Sequence, residues 1–302
     1  SLLMDKANTC ATVLSRFKNM KSPKNKLFNR RNFIITSGLA AASCCSYARY
    51  IEPSLLSVTQ KTVRLPKLPK SLDGLVVAQL TDIHYKPEEQ QELMQEVVRV
   101  VNAAKPDIIA LTGDYIEGRP KVIDPLMDTL SGLQAKHGIY ATMGNHDGWS
   151  ASPGRFRQGF RKAGIEFLHN DGSCIQIKGE HFFIVGTDSC WSGKVDAPAC
   201  YRGHKNEPVL ALVHEPDVFD FLSAHFPVSL QLSGHTHGGQ CRVPLVGYAP
   251  VKVKYGKNYI YGSYAKGASQ LFVSRGLGTV GAKVRFACSP EVALLTLRSA
   301  AS

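Results

Sequence analysis

The sequence lacks the features of several protein classes. Its eight cysteines form no C-x-x-C pair, which argues against a zinc knuckle or a thioredoxin-like redox motif. Their spacing does not form a disulfide framework either, so we expect reduced and mostly buried thiols. Internal repeats and low-complexity tracts are missing from residues 71–302. These absences favour an ordinary folded body whose core is large enough to need no disulfide or structural metal.

Acidic residues are scarce at the N-terminal end. Residues 1–70 hold 13 Lys or Arg and only two acids, a net charge of +11, whereas residues 71–302 hold 23 basic and 22 acidic residues. The basic segment also lacks the interleaved aromatic residues of a single-strand binder, so we do not expect nucleic acid as a partner. We expect it to bind an anionic membrane surface, with a solvated tail as the alternative.

Arg30 and Arg31 precede a run of mainly apolar or small residues that continues to Cys45. This layout is typical of a signal peptide, and the paired arginines resemble a twin-arginine export signal. The run is too short to span a bilayer, so an uncleaved interfacial anchor fits equally well. We therefore expect either peripheral or anchored attachment to the cytoplasmic face of a bacterial inner membrane, or export.

Composition predicts the domain boundaries. Residues 1–50 form the basic extension with its signal-like or anchor segment. Residues 51–70 contain three prolines and four basic residues and are predicted to be a linker. Residues 71–302 form the folded body.

Strand-like and helix-like runs alternate in the first half of this body. Apolar runs at 75–80, 107–111 and 138–143 are separated by amphipathic segments at 87–104 and 126–133. The alternation predicts a largely parallel sheet, covered on both faces, with ligands bound outside the carboxyl ends of the strands. Later strand-like runs have few helices between them and predict a second sheet packed on the first. They are 175–177, 182–186, 210–213, 228–232, 270–274 and 292–297.

Polar side chains follow each strand of the first group. Asp82 and His84 follow the first strand, and their spacing places a carboxylate and an imidazole on one side of an extended chain. Asp114 follows the second strand in a Gly-Asp turn, where glycine permits the backbone to aim it. Asn145 and His146 follow the third strand. Asn145 can offer a carbonyl oxygen to a metal, and His146 remains free to act on a substrate.

Three further histidines follow later strands. His214 ends one apolar run, and His235 and His237 lie in a G-H-x-H turn after another. Any one of these residues could be an ordinary surface or core histidine, but five polar clusters that each end a strand are poorly explained by chance. Mixed Asp, His and Asn ligands favour Mn²⁺, Fe²⁺ or Zn²⁺ over Ca²⁺. We expect two divalent ions, Mn²⁺ foremost, about 3.5–4 Å apart, as in sites that bind phosphate.

Together, the motifs D-x-H, G-D, G-N-H-D, H and G-H-x-H resemble those of the calcineurin-like metallophosphoesterases, over roughly residues 74–300. The resemblance implies an α/β fold, a four-layer α/β/β/α sandwich with two mixed sheets. The implied ligands are Asp82, His84 and His237 for the first metal and Asn145, His214 and His235 for the second. It implies that Asp114 bridges the metals and that His146 contacts the scissile phosphate and protonates the leaving oxygen. Asp147 would orient His146.

Four further stretches narrow the resemblance to a bacterial phosphodiesterase subgroup with export-like N-termini. They are the twin-arginine segment, the G-H-T-H-G-G-Q and R-V-P-L-V-G stretches and the S-R-G-L-G-T turn. Within this subgroup, the chain is similar to chlamydial pyrophosphatases of lipid A biosynthesis. This implies a nucleotide-lipid substrate, UDP-2,3-diacylglucosamine, cleaved to UMP and 2,3-diacylglucosamine 1-phosphate. The corresponding enzyme of most Gram-negative bacteria has Arg where this chain has His146. The predicted substrate therefore depends on the resemblance to the bacterial phosphodiesterase subgroup.

Two other functions stay open. One is an exported or membrane-bound phosphodiesterase or phosphatase with a different substrate. The other is a non-catalytic scaffold on the same fold, which the complete ligand set disfavours.

Several other residues are candidates for contacting substrate. Arg275 and Arg242 could bind phosphate oxygens, with a structural ion pair as the alternative for Arg275. The apolar runs 243–248 and 251–261 could form an acyl-facing wall, although such runs more often belong to a core. The basic stretch 155–162 is predicted to be a plain surface helix, with a contact to a membrane or to the uridine diphosphate as the alternative.

Overall fold

The computed structural model describes residues 30–250 and 253–300, which fall into two compact units. The first contains helix α1 (Arg30–Ser46), none of whose side chains is buried. Phe33, Ile34 and Leu39 on this helix are all exposed. Among the described residues, no helix combines the length and the apolar character needed to cross a membrane.

The second unit begins at Tyr47 and contains the strands and the remaining helices. Its strands are β1 (Ser57–Leu65), β2 (Val76–Leu80), β3 (Ile108–Leu111), β4 (Ile139–Ala141), β5 (Glu166–Phe167), β6 (Asp171–Ile177), β7 (Glu180–Gly186), β8 (Val209–Leu212), β9 (Leu230–Ser233), β10 (Gly262–Lys266), β11 (Ser269–Val273) and β12 (Glu291–Ser299). Its α-helices are α2 (Pro87–Ala104), α3 (Ile123–Leu130), α4 (Asn145–Ser150), α5 (Pro153–Lys162), α6 (Ala197–Cys200) and α7 (Phe219–His225). Short π or 3₁₀ turns lie at Tyr47–Ile51, Glu52–Ser54, Lys70–Leu72, Pro120–Val122, Pro216–Val218 and His237–Gly239.

The strands form two mixed sheets of six strands each. The first has the order β1-β12-β2-β3-β4-β5, in which β2 to β5 are parallel and β12 is antiparallel to β2. The second has the order β10-β11-β9-β8-β7-β6, in which β7, β8, β9 and β11 are parallel. This arrangement confirms the predicted α/β fold with two mixed sheets.

Three apolar cores separate four layers. The central core lies between the sheets and combines residues such as Val77 and Ala110 of the first sheet with Leu212 and Leu232 of the second. A second core packs the outer face of the first sheet against α2, α3 and α5, and a third packs the second sheet against α6 and α7. Each sheet therefore buries both faces, which explains why its central strands read as continuous apolar runs.

The prediction of a linker at 51–70 was wrong. Ser57–Leu65 is strand β1, and it pairs along its whole length with β12, from Ser57 opposite Glu291 to Leu65 opposite Ser299. As the edge strand it carries exposed basic residues, a common protection against sheet-to-sheet pairing, and these gave the segment its linker-like composition.

One other expectation changes, and one is confirmed. Run 292–297, assigned from sequence to the second sheet, belongs to β12 in the first sheet, between β1 and β2. The basic stretch 155–162 lies in a surface helix, α5, which buries Phe156 and Phe160 in the core. Arg155 of this helix forms an ion pair with Asp124 at 2.7 Å. The helix therefore serves packing.

Candidate metal centre

All seven predicted metal ligands lie just beyond the carboxyl ends of parallel strands, in loops or at the start of the helical segment that follows. The loops follow β2, β3 and β4 of the first sheet and β8 and β9 of the second. The ligands are almost completely buried: Asp82, His84, Asp114, Asn145, His214, His235 and His237. Side chains from two sheets thus converge on one point, as the ends of parallel strands allow.

Five of these seven ligands have a left-handed backbone. Their φ angles are 51° for Asp82, 45° for His84, 54° for Asp114, 72° for His235 and 50° for His237. Such a conformation costs a non-glycine residue about 1–3 kcal/mol and clusters at functional sites. The expectation that the paired ligands share one side of an extended chain was therefore wrong, because they converge through left-handed turns.

Two glycines permit the ligand loops to approach each other. A Cβ atom on Gly144 would lie 2.2 Å from Oδ1 of Asp114, and one on Gly234 would lie 2.1 Å from Oδ2 of Asp82. Any larger residue at either position would push a carboxylate out of place.

The first cluster consists of Asp82, His84 and His237, whose potential ligand atoms lie within 4.8 Å of one another. Nε2 of His84 is 3.1 Å from Nε2 of His237, which is 3.4 Å from Oδ1 of Asp82. The Asp82 carboxylate is held by the backbone N–H of His235 at 2.9 Å. Nδ1 of both histidines has no hydrogen-bond partner within the described ranges.

The second cluster consists of Asp114, His214 and His235, again with ligand atoms within 4.8 Å. Nδ1 of His214 donates to the Thr112 carbonyl at 2.7 Å, which turns Nε2 toward Oδ2 of Asp114 at 3.0 Å. Nε2 of His235 donates to the Lys254 carbonyl at 2.6 Å, which leaves Nδ1 for a metal. Backbone carbonyls thus fix the ring orientation and tautomer of both histidines.

Asp114 and Asn145 complete the two clusters. Oδ2 of Asp114 is 3.0 Å from Nε2 of His214 and 3.6 Å from Nε2 of His84, so one oxygen faces both clusters. Neither Oδ1 nor Nδ2 of the buried Asn145 has a hydrogen-bond partner in the part of the chain that the structure describes. A buried amide without partners is costly, and ligation through Oδ1 would satisfy its oxygen.

Burial controls the protonation of the ligands. It lowers the pKa of His84 to about 3 and that of His235 to about 4, so both imidazoles are neutral and able to ligate at pH 7. It raises the pKa of Asp82 to about 7, partly offset by His214. Burial opposes the charges of Asp114 and His214, but their mutual attraction keeps the Asp114 pKa low and the His214 pKa high. Protonated His214 thus supplies the positive charge beside Asp114, a charge that a bound cation would replace.

These residues fit a pair of divalent cations. The donor set combines carboxylate, imidazole and amide groups suited to borderline divalent ions, and the Asn145 amide, which has no partner among the described residues, lines the same cavity as Asp114. Asp82, His84 and His237 would hold one ion, Asn145, His214 and His235 the other, and Asp114 both.

His146 lies beside both clusters. Its backbone N–H donates to Oδ1 of Asp114 at 2.8 Å, and its ring meets the His84 ring edge-on at 4.8 Å. The side chain is half-buried and lines a cavity, so a substrate can reach it. This position fits the predicted contact with a phosphate.

Asp147 does not orient His146. Its buried carboxylate accepts the backbone N–H groups of Tyr115 at 2.8 Å, Ile116 at 3.2 Å and Gly144 at 3.0 Å. It therefore ties the ligand loop after β3 to the loop after β4, which makes it a positioning residue for Asp114 and Asn145.

The two candidate arginines do not line the cavity. Arg275 forms an ion pair with Glu291 at 3.1 Å and donates to Ser57 at 2.9 Å, so the alternative of a structural ion pair holds. Arg242 donates to the Gly247 carbonyl at 2.8 Å and stacks over the Tyr261 ring at 5.2 Å. Both guanidinium groups are therefore held by contacts within the protein, where they stabilise the local fold.

The cavity has a volume of about 400 Å³ and joins metal ligands to apolar residues. It is lined by Asp114, Asn145, His146, Trp191, His235, Thr236, His237, Gly239, Gln240, Cys241, Val253 and Val280. Trp191 contacts the His235 ring at 5.6 Å and the Trp149 ring at 4.9 Å, and Trp149 contacts His146 at 5.1 Å. Sequence reasoning missed this aromatic wall, although the chain contains only these two tryptophans.

A buried carboxylate next to a ligand positions the wall. Glu215 follows His214 and accepts the Ser189 hydroxyl and the backbone N–H of Cys190. The Ser189 oxygen in turn accepts the backbone N–H of Trp191 at 3.1 Å. The metal-binding loop and the aromatic wall are therefore linked.

Comparison with known proteins agrees with this geometry. Residues 75–239 match the family described as calcineurin-like phosphoesterase. The phosphodiesterase YaeI of Escherichia coli is 32% identical over 278 residues, covering 90% of this chain and 100% of YaeI. The uncharacterized metallophosphoesterase YkuE of Bacillus subtilis is 31% identical over 289 residues, covering 91% and 99%. The UDP-2,3-diacylglucosamine pyrophosphatase LpxG of Chlamydia muridarum is 24% identical over 305 residues, covering 82% and 91%. The chain belongs to the calcineurin-like metallophosphoesterases, a family of metal-dependent hydrolases.

Proposed function

We propose that this protein hydrolyses the phosphoanhydride of a nucleotide-linked lipid, UDP-2,3-diacylglucosamine, to UMP and 2,3-diacylglucosamine 1-phosphate. The observation that carries the proposal is the composition of the cavity, in which the metal ligands face Trp191, Val253 and Val280. A ligand held there would place a diphosphate on the clusters and less polar groups against the opposite wall. The name of the LpxG relative supports the same substrate.

Different residues of the site would bind the metals and transfer the proton. Two divalent cations, for which Mn²⁺ is our first choice, would when bound neutralise charge at phosphoryl oxygens and lower the pKa of water. His146, beside Asp114 and open to the cavity, would contact the scissile phosphate and donate the proton that the leaving oxygen requires. The loop links made by Asp147 hold Asp114 and Asn145 in register for this step.

The N-terminal segment supports placement at a membrane. Residues 1–70 carry a net charge of +11, and α1 exposes Phe33, Ile34 and Leu39. We propose peripheral attachment of the basic segment to the anionic cytoplasmic face of the inner membrane, where a UDP-linked lipid is made, and no role for nucleic acid. Export through the twin-arginine-like segment is the alternative. The mass of the mature N-terminus separates the two, because cleavage after the apolar run would contradict cytoplasmic attachment.

Product analysis tests the substrate. The protein is incubated with Mn²⁺ and UDP-2,3-diacylglucosamine in detergent micelles, with Asp114→Ala as the control. We expect UMP and 2,3-diacylglucosamine 1-phosphate from the wild type and neither product from the variant. Turnover of an aryl phosphodiester without turnover of the lipid would contradict the lipid A role and retain the two-metal chemistry.

A phosphodiesterase with another substrate is the second candidate. The relative named phosphodiesterase, YaeI, shares more identity over more of the chain than LpxG does. A panel of nucleotide and lipid phosphodiesters in the same assay decides between them, because the preferred substrate would show the largest kcat/KM.

A further inference from the structure

A short loop beside the cavity presents apolar side chains to solvent. The 242–248 loop follows cavity residues 239–241 directly. Leu245 is fully exposed, Val246 is 77% exposed, and Val243 and Tyr248 are also exposed. Apolar surface concentrated in this way on one loop commonly marks an interaction site.

Hydrogen bonds hold the loop in this exposed form. Backbone hydrogen bonds join Val243 N to the Tyr248 carbonyl and Gly247 N to the Val243 carbonyl, both at 2.8 Å. The Arg242 side chain donates to the Gly247 carbonyl, and its backbone N–H donates to the Phe286 carbonyl at 2.8 Å. The fold therefore fixes the apolar tip outward.

The tip is also strained. Leu245 has a φ of 67°, in the left-handed region where glycine or asparagine is usual. A leucine that is both strained and fully exposed gains nothing from packing within the described chain. Its presence at the tip points to a contact with something outside this chain.

Charge and aromatic content around the loop identify that contact. Residues 221–290 contain no Asp or Glu, eight Lys or Arg, and five of the eleven tyrosines. Three of these cations form ion pairs with acids outside the range, Lys266 with Asp220, Arg275 with Glu291 and Lys283 with Glu89, and Arg285 is buried. Tyr248, Tyr261 and Tyr264 line a shallow depression together with Arg242. Lys254 lies 4.6 Å from the Tyr255 ring. An apolar tip flanked along the chain by tyrosines, Arg242 and the exposed Lys254 is typical of surfaces that enter the headgroup region of an anionic bilayer.

We propose that the 242–248 loop is a membrane-docking element, which inserts Leu245 and Val246 into an anionic lipid surface. Because residues 239–241 belong to the cavity wall, docking would bring the cavity mouth to the lipid headgroups. This deepens the proposed function by stating where a lipid substrate enters, but the docking itself does not depend on that substrate. It is also separate from any attachment through the basic N-terminal segment.

Hydrogen exchange on the full chain tests the loop directly. The protein is mixed, without substrate, with vesicles of phosphatidylcholine and phosphatidylglycerol at a ratio of about 3:1. We expect exchange in peptides that cover the 242–248 loop to slow by about ten-fold. The double variant Leu245→Ser, Val246→Ser should lose this protection, and its vesicle partitioning should fall by at least about five-fold.

The matched control is Phe221→Ser, which removes another exposed apolar side chain, on α7. It should behave as the wild type does, and equal thermal midpoints for the variants would show that folding is intact. Vesicle binding without protection of the loop, or equal protection in the double variant, would overturn the proposal and assign binding to the basic segment. Absence of vesicle binding would also overturn it, as would loop protection that depends on protein concentration, which would indicate a second copy of the chain. None of these results depends on hydrolysis of the proposed substrate.

Discussion

The two metal clusters hold their histidines differently. In the second cluster, His214 and His235 each donate one ring nitrogen to a backbone carbonyl, at 2.7 and 2.6 Å. In the first cluster, Nδ1 of His84 and of His237 has no partner among residues 30–250 and 253–300. Carbonyl partners fix ring orientation and raise ligand basicity, and losing such a partner typically lowers metal affinity by about 10–100-fold. We therefore expect the second cluster to bind its metal more tightly.

Asp114→Asn should have the largest effect, because one oxygen of Asp114 faces both clusters. The substitution keeps the shape but removes the shared negative charge, so both metals and measurable turnover should be lost. Elemental analysis after dialysis checks the metal content, with circular dichroism to show that the fold persists. Retention of two metals would mean that the clusters bind independently of Asp114.

A matched pair of variants separates the clusters. His237→Ala removes a first-cluster ligand and should leave about one metal per chain, held by the carbonyl-supported second cluster. His235→Ala removes a second-cluster ligand and should retain clearly less than one metal after the same dialysis. Equal metal retention in the two variants would contradict the expectation that the second cluster binds its metal more tightly.

His146→Ala should leave both clusters filled. The residue donates only its backbone N–H to Asp114, and this bond survives the substitution. Loss of the proton donor should lower kcat by about 10²–10⁴-fold. Steady-state kinetics, with metal content measured on the same samples, provides the test. Loss of metal or an unchanged kcat would contradict the role assigned to His146.

Chelation of the wild type should show the smallest effect, a difference in metal affinity between the two clusters. A competing chelator is expected to remove one metal at about 10–100-fold lower concentration than the other, and the first to leave should come from the first cluster. Loading with paramagnetic Mn²⁺ shows whether the ions leave one at a time, because loss of either ion ends the magnetic coupling of the pair. Removal of both ions in one step would show that the carbonyl partners do not separate their affinities.

Much of this centre could be predicted from the sequence because ligands at strand ends leave a clear pattern. The apolar runs fixed β2, β3 and β4, and Asp82, Asp114 and Asn145 each follow one of them. The metal-ligand grouping implied by the family resemblance agrees with the two clusters, which bring together residues up to 155 positions apart, from Asp82 to His237.

Other features depend on contacts between distant segments and leave little local trace. The left-handed backbones of the ligands arise from loops held by neighbours, such as the Asp82 carboxylate bound to the backbone N–H of His235. The role of Asp147 required knowing that Tyr115 and Gly144 lie beside it. Strand β1 was mistaken for a linker because an exposed edge strand and a linker have similar compositions.

The position of β12 has a consequence for the protein during its synthesis. This strand, Glu291–Ser299, lies between β1 and β2, so β1 has no neighbouring strand and β2 has only β3 until residues 291–299 have been made. At usual elongation rates, the ribosome needs roughly 10–40 s to travel from the end of β2 to β12. During that interval, the apolar edge of β2 that faces β12 is unpaired. We therefore expect chaperones to bind the nascent chain.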